Sequence, residues 1–312
     1  MVVGVHWRRC VLAMGIGGLP TLGGLVLAAD PMPYVLTIVA TGDAALDRAL
    51  ADASQLAGLR ERAPVGPFAL IARAEADVGR LDAVLRSLGY YDALIAIRVH
   101  GQDLHDPTLL PLVEGLPPDP PVAVVIDPDP GPLYRLGEVR LEGAATPAAQ
   151  AAFDLRPGAP ARAAEVLAAG AAVLDALRED GFPLARVPPP DAVVDHGTRT
   201  LDVLYQAEPG PRLALGEVQV IGLDRLREGY VLRRLGLAAG EPYSPSRLEA
   251  ARRALLEGGA LAWARLTPGD TPDVQGRLPL TLEVAERPRR VLRLAGAWSS
   301  DEGGTLSTSW TH

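Results

Sequence analysis

The chain has 312 residues, 48% of them apolar and only 4% aromatic, and carries a formal net charge of −8. That length provides for two or three packed domains, and an acidic chain without a basic face speaks against a nucleic-acid partner. A single cysteine, Cys10, excludes an intrachain disulfide.

The first thirty residues read MVVGVHWRRCVLAMGIGGLPTLGGLVLAAD. Arg8 and Arg9 precede an apolar run from Cys10 to Leu27, and small residues around Ala28 follow it. This is the layout of a secretory signal over residues 1–29, with the mature chain starting near Ala29 or Asp30. The alternative is an uncleaved anchor, which the glycines and Pro20 disfavour as a spanning helix. Cleavage would leave no cysteine, and so no thiolate catalysis and no cysteine metal site.

Next comes YVLTIVATG at 34–42, a strand by its β-branched content. In FALIARAEADVGRLDAVLRSLGYYD, Leu70, Ala74, Val78, Leu81, Leu85 and Leu88 keep a period near 3.6, and Gly89 stops the helix. YDALIAIRV is a second strand and PVAVVIDP, at 121–128, a third, with a Pro- and Asp-rich loop expected at 101–120.

A repeat then begins. PGPLYRLGEVRLEG at 130–143 and PGPRLALGEVQVIG at 209–222 are identical at eight of fourteen positions. Downstream, VLDALREDGFPLARV parallels ARRALLEGGALAWARL, and RTLDVLYQAEPG parallels PLTLEVAERP, giving a period near 78. In the second copy YVLRRLGL is a short helix, and Ser244 with Pro245 opens a longer one. Each unit therefore runs strand, helix, helix, strand, strand, and residues 34–128 form a divergent first copy. The fold class expected is α+β: three tandem β-α-α-β-β modules at 33–128, 132–209 and 211–287. Gly131, Pro132, Gly210 and Pro211 form stiff joints between them. Gly89, Gly181 and Gly259 are expected at positive φ where each long helix stops.

The last segment, VLRLAGAWSSDEGGTLSTSWTH, alternates, turns at DEGG and returns. Residues 288–312 are thus expected to hold a β-hairpin. Other candidate sites are weak. HGQDLHD, with His100, Asp103, His105 and Asp106, reads as a solvated loop rather than a metal site. Asp127, Asp129, Asp191 and Asp195 stand among prolines, where Asp favours turns. No GxSxG or phosphate-loop setting occurs. RPRR at 287–290 reads as a solvated joint, with headgroup contact as the alternative.

Modules of this order resemble POTRA domains, above all in the opening LGEV and in a helix that ends at glycine before aromatics, as in LRSLGYYDA. Three such modules behind a signal resemble the TamA-like proteins of the BamA superfamily, and the spacing from Arg73 through Asp77 to LGYYDA adds to that likeness. The resemblance implies a non-enzymatic periplasmic arm without cofactor or metal, exported to the periplasm and outer membrane, and leading at residues 288–312 into the first strands of a β-barrel that is truncated here, with Trp298 and Trp310 in its wall. It also implies a TamB-like inner-membrane partner and unfolded outer-membrane or autotransporter clients, with lipid transport as another role. Another polypeptide transporter of the superfamily, or a division-type scaffold anchored in the inner membrane, are the alternatives. In such modules the second strand lies at an open edge and binds extended chains by β-augmentation. FPLARVPPPD in the middle module is guarded by proline, and LAWARL lies beside the barrel joint. Residues 91–99, with Tyr91, Leu94, Ile95, Ile97 and Val99, are therefore the expected docking edge.

Overall fold

The computed structural model describes residues 31–287, 291–299 and 303–311. The predicted leader and the residues 288–290 fall outside them, as do the side chains beyond Arg287.

The first unit strings together β1 (Tyr34–Ile38), α1 (Ala44–Ala53), α2 (Gln55–Gly58), α3 (Pro67–Ser87), β2 (Leu94–Val99), β3 (Gln102–Asp103), α4 (Leu109–Glu114) and β4 (Val122–Asp129). Its sheet has the order β1-β4-β2-β3, with β1 parallel and β2 antiparallel to β4. Asp43 caps α1 and Ser54 caps α2 through their side chains. Leu70, Ala74, Leu81 and Leu85 of α3 are buried against Ile97, Val99, Val124 and Ile126 of the sheet. The predicted loop at 101–120 is corrected: it holds β3 and α4, whose Leu109 and Val113 are buried in the same core. Six residues give too short a period to reveal a helix, and this one depends on α3 for its apolar face.

The second unit is β5 (Arg135–Gly143), α5 (Pro147–Ala152), α6 (Ala163–Glu179), β6 (Asp191–Asp195) and β7 (Thr200–Ala207). The third is β8 (Ala214–Ile221), α7 (Glu228–Leu235), α8 (Pro245–Glu257), β9 (Leu261–Pro268) and β10 (Arg277–Glu286). Their sheets have the orders β5-β7-β6 and β8-β10-β9, so the opening strand pairs in parallel with the closing one. That is the mixed α+β arrangement the repeat predicts. The central strands alternate: in β7, Leu201, Val203, Tyr205 and Ala207 face the helices and are buried.

The repeated LGEV now has a physical reason. The register of β5 on β7 slips between Leu136 and Val139, and that of β8 on β10 slips at the corresponding place. Gly137 and Gly216 sit in these bulges, where a Cβ would overlap Asp202 in one module and crowd the Leu278 carbonyl in the other. The glycines that end the long helices have positive φ: +98° at Gly89, +95° at Gly181 and +72° at Gly259.

One strand assignment is corrected. FPLARVPPPD makes only the single bridge Arg186–Glu208, and the second strand of the middle unit is β6, beyond the prolines. Pro188 to Pro190 offer no N–H, so a ladder cannot start before Asp191.

The chain ends in β11 (Val291–Ser299) and β12 (Gly303–Thr311), an antiparallel hairpin paired from Val291 with Thr311 to Ser299 with Gly303. No closed barrel is present among the described residues. No described helix is long and apolar enough to cross a membrane.

Candidate functional site: open sheet edges and the joints that orient them

An edge can accept a foreign strand only where its backbone groups have no partner. Among the described residues β9 borders only β10, and its outer side meets no other strand, although Arg252 reaches the Ala264 carbonyl at 3.5 Å and Pro268 has no N–H. Trp263, 48% exposed, and Arg265 stand on it, and Arg265 reaches Glu283 of the neighbouring strand. β2 is open over a shorter stretch, because β3 pairs with Arg98 and Val99. β6 is open but short, and starts directly behind three prolines.

The predicted edge residues therefore divide. Leu94 is exposed and Ile95 half-buried at the open end of β2, whereas Ile97 and Val99 are core residues. Tyr91 is corrected: it precedes the strand, and its ring meets Tyr134 edge-on at 5.4 Å between centroids. Val99 is corrected as an open position, since it pairs with Gln102.

What Tyr91 belongs to is a joint, and both joints share one backbone design. The Gly89 carbonyl accepts from Tyr134 N–H at 2.9 Å, and the Gly181 carbonyl accepts from Leu213 N–H at 2.9 Å. The same joint residues then accept in turn, from Ala161 and from Tyr243. Gly131 and Gly210, at φ +62° and +68°, make the bends just before. Each new module is thus hydrogen-bonded to the glycine that ended the previous helix.

The side chains make the two joints different. At the first, the fully buried Tyr134 donates its hydroxyl to Asp92 at 2.6 Å, and His196 Nδ1 lies 2.7 Å from the same carboxylate. The hydrogen bond from Tyr134, with help from His196, holds the Asp92 carboxyl below its usual range. Burial and the Asp92 bond push the Tyr134 hydroxyl up to about 12. At the second joint, Glu179 from the end of α6 accepts from Ser246 N–H and from the hydroxyls of Ser244 and Ser246, capping α8 of the next module. Burial opposes ionisation there, but those hydrogen bonds prevail and keep Glu179 low. Tyr134→Phe removes the bond to Asp92 and is expected to cost about 1.5 kcal/mol. It should also broaden the angle between the first two modules, measured by small-angle scattering; an unchanged profile would show that the backbone bonds alone hold the joint.

A third clamp sits where the chain leaves the last module. Glu286 accepts from the N–H groups of Asp224, Arg225 and Leu226 and from the Arg225 guanidinium. These bonds, the Leu226 N–H first among them, depress its pKa to about 2. A lowered folded pKa stabilises above the unfolded value near 4.5 and is lost as pH falls through about 2. Amides of residues 224–226 should accordingly lose exchange protection between those two pH values, and Glu286→Gln should remove that dependence.

HGQDLHD closes on itself: Asp103 accepts from His105 N–H, and no cluster of metal-ligating side chains is present among the described residues. No family model matches the chain. It is 24% identical over 187 residues to the outer membrane protein assembly factor BamA of Neisseria meningitidis, a match covering 57% of this chain and 23% of that one. That likeness, with the repeated α+β modules, is to a POTRA-bearing protein of the BamA superfamily. It spans about a quarter of the length of the curated relative it matches.

Among solved structures it is similar to POTRA domains 3–5 of Haemophilus influenzae BamA, with a TM-score of 0.48 and 17% identity, over 82% of this chain and 96% of that one. It is also similar to Haemophilus ducreyi BamA lacking POTRA domains 1–3, with a TM-score of 0.44 and 16% identity, over 57% and 34% of the two chains. In this array of modules, the joint residues Asp92, Tyr134, His196 and Glu179 were missed by sequence reasoning. They lie up to 104 residues apart, and no local pattern marks them.

Proposed function

We propose that this chain is the periplasmic scaffold arm of an outer-membrane assembly or transport factor, and that it guides extended polypeptide by strand addition rather than by bond chemistry. The observation that carries the reading is the outer edge of β9, a strand of eight residues, in the module joined by four residues to a hairpin of two nine-residue strands. Transmembrane barrel strands need about 9–11 residues. Backbone pairing at such an edge gives affinity with little sequence preference, which suits unfolded clients. The open end of β2 at Leu94 and Ile95 is a second, shorter docking place.

Three modules and the LRSLGYYDA spacing support a TamA-like arm. On that reading the partner is a TamB-like inner-membrane protein, the clients are autotransporter or outer-membrane chains, and the mature chain stands in the periplasm. Hydrogen exchange of the full chain with an unfolded outer-membrane protein tests it. New protection is expected at amides 261–267 and at 94–97. A client that is captured without protecting either edge would overturn strand addition.

A further inference from the structure

We infer that the outward surface of α7 is a contact for anionic phospholipid headgroups, made by Arg227, Tyr230, Arg233 and Arg234. The inference rests on the scaffold reading only for placing the last module near a membrane.

Val231 and Leu235 turn the apolar side of α7 into the core. That leaves Tyr230, Arg233 and Arg234 exposed, with Arg227 exposed at the N-cap. The pairing of arginines in this module is uneven. Arg225, Arg247, Arg252, Arg265 and Arg277 each have a carboxylate partner. Arg227, Arg233 and Arg234 have none among the described residues, nor do Arg212 and Arg253, but these three stand together on one short helix of a chain that is acidic by eight charges. The exposed carboxylates around the cluster are Asp224, three residues before Arg227, Glu228 in the first turn of α7, and Glu257 of α8, next to Gly258, which Arg234 approaches; they weaken its positive field.

The position of the cluster matters as much as its charge. Arg225 donates to Glu286 and to the Arg287 carbonyl, which pins the approach to α7 at the exit of the module. From Glu286 to Val291 the chain can reach at most about 18 Å. The hairpin, with its barrel-strand length, therefore starts close to this surface, and the sequence between them adds Arg287, Arg289 and Arg290. Guanidinium groups bind phosphate bidentately. An exposed tyrosine with an apolar ring and a polar tip suits the boundary between headgroup and acyl chain. A merely solvated helix face needs neither feature.

The test is flotation of the full chain with vesicles of phosphatidylcholine alone and of phosphatidylcholine with phosphatidylglycerol. Each surface arginine contributes about fivefold to partitioning onto an anionic membrane, so the triple variant Arg227→Gln, Arg233→Gln, Arg234→Gln should bind anionic vesicles on the order of a hundredfold more weakly. Binding to neutral vesicles should stay unchanged, since any contribution of the hairpin or the leader is common to both proteins. Equal partitioning of parent and variant onto anionic vesicles would overturn the inference. So would full competition by inorganic phosphate at a concentration too low to screen charge, which would assign the arginines to free phosphate. Client protection at amides 261–267 is read on the same variant. If it persists while the lipid difference is absent, this inference alone fails; if it is absent while the lipid difference holds, only the scaffold reading fails.

Discussion

Asp77→Ala is expected to destabilise the first module by about 3–5 kcal/mol, the usual loss when one partner of a buried charged network is removed. Asp77 is completely buried on α3. One of its oxygens accepts from the Ser54 hydroxyl at 2.7 Å and from Leu56 N–H at 2.9 Å; the other accepts from Gln55 N–H at 2.9 Å and Arg80 at 2.8 Å. The carboxylate therefore caps α2 from a neighbouring helix and fixes the crossing of the two. Alanine would strand a hydroxyl and two N–H groups in the core. Asp77→Asn is expected to recover less than half of the loss, because only one of its two terminal atoms can accept. Arg80 is partly exposed, so Arg80→Gln should cost far less. Urea unfolding of the full chain, resolved by exchange of the α3 amides, reads the first module separately. A loss below about 1 kcal/mol for Asp77→Ala would show that water takes over the carboxylate's role.

Gly143→Val is expected to cost about 3 kcal/mol or more, from a strained φ together with a steric overlap. Gly143 ends β5 at φ +97°, and a Cβ there would overlap the Ala207 carbonyl of β7. That atom is backbone in the central strand and cannot swing aside. Gly222 repeats the arrangement against Val284 in the third module. Gly158, at φ +83° with open space around it, is the control: Gly158→Val should show the backbone strain alone, about 1–2 kcal/mol. Equal losses at Gly143 and Gly158 in thermal unfolding would mean that the packing against β7 contributes nothing.

Much of the fold was legible along the chain because it is written in short periods. The LGEV strands, the 3.6 period of α3, the cap at Ser244 and the glycines that stop three helices are all local patterns. Duplication made them easier to read, since a bulge glycine or a stop glycine recurs at a fixed separation. Within α3 the period placed the apolar stripe, and Val78 packs against the core as expected, but the period did not reveal the fully buried Asp77 beside it. A carboxylate can be buried only if donors come from elsewhere, and those donors arrive from α2, more than twenty residues earlier.

The open edges show the same division. Sequence identified which segments could be strands, but an edge is defined by what does not pair with it. β3, two residues long, covers the end of β2, while no strand lies beyond β9 among the described residues. Three prolines shifted β6 downstream, because the ladder with β7 had to wait for the first free N–H. Tyr91 looked like an edge residue and became part of a joint once Tyr134, Asp92 and His196 were brought together. The sequence by itself determined the repeated modules, since local periodicity and backbone preference act within a few residues. Only the tertiary structure decided which edge stays open and how consecutive modules lock, because both depend on hydrogen bonds between residues far apart in the chain.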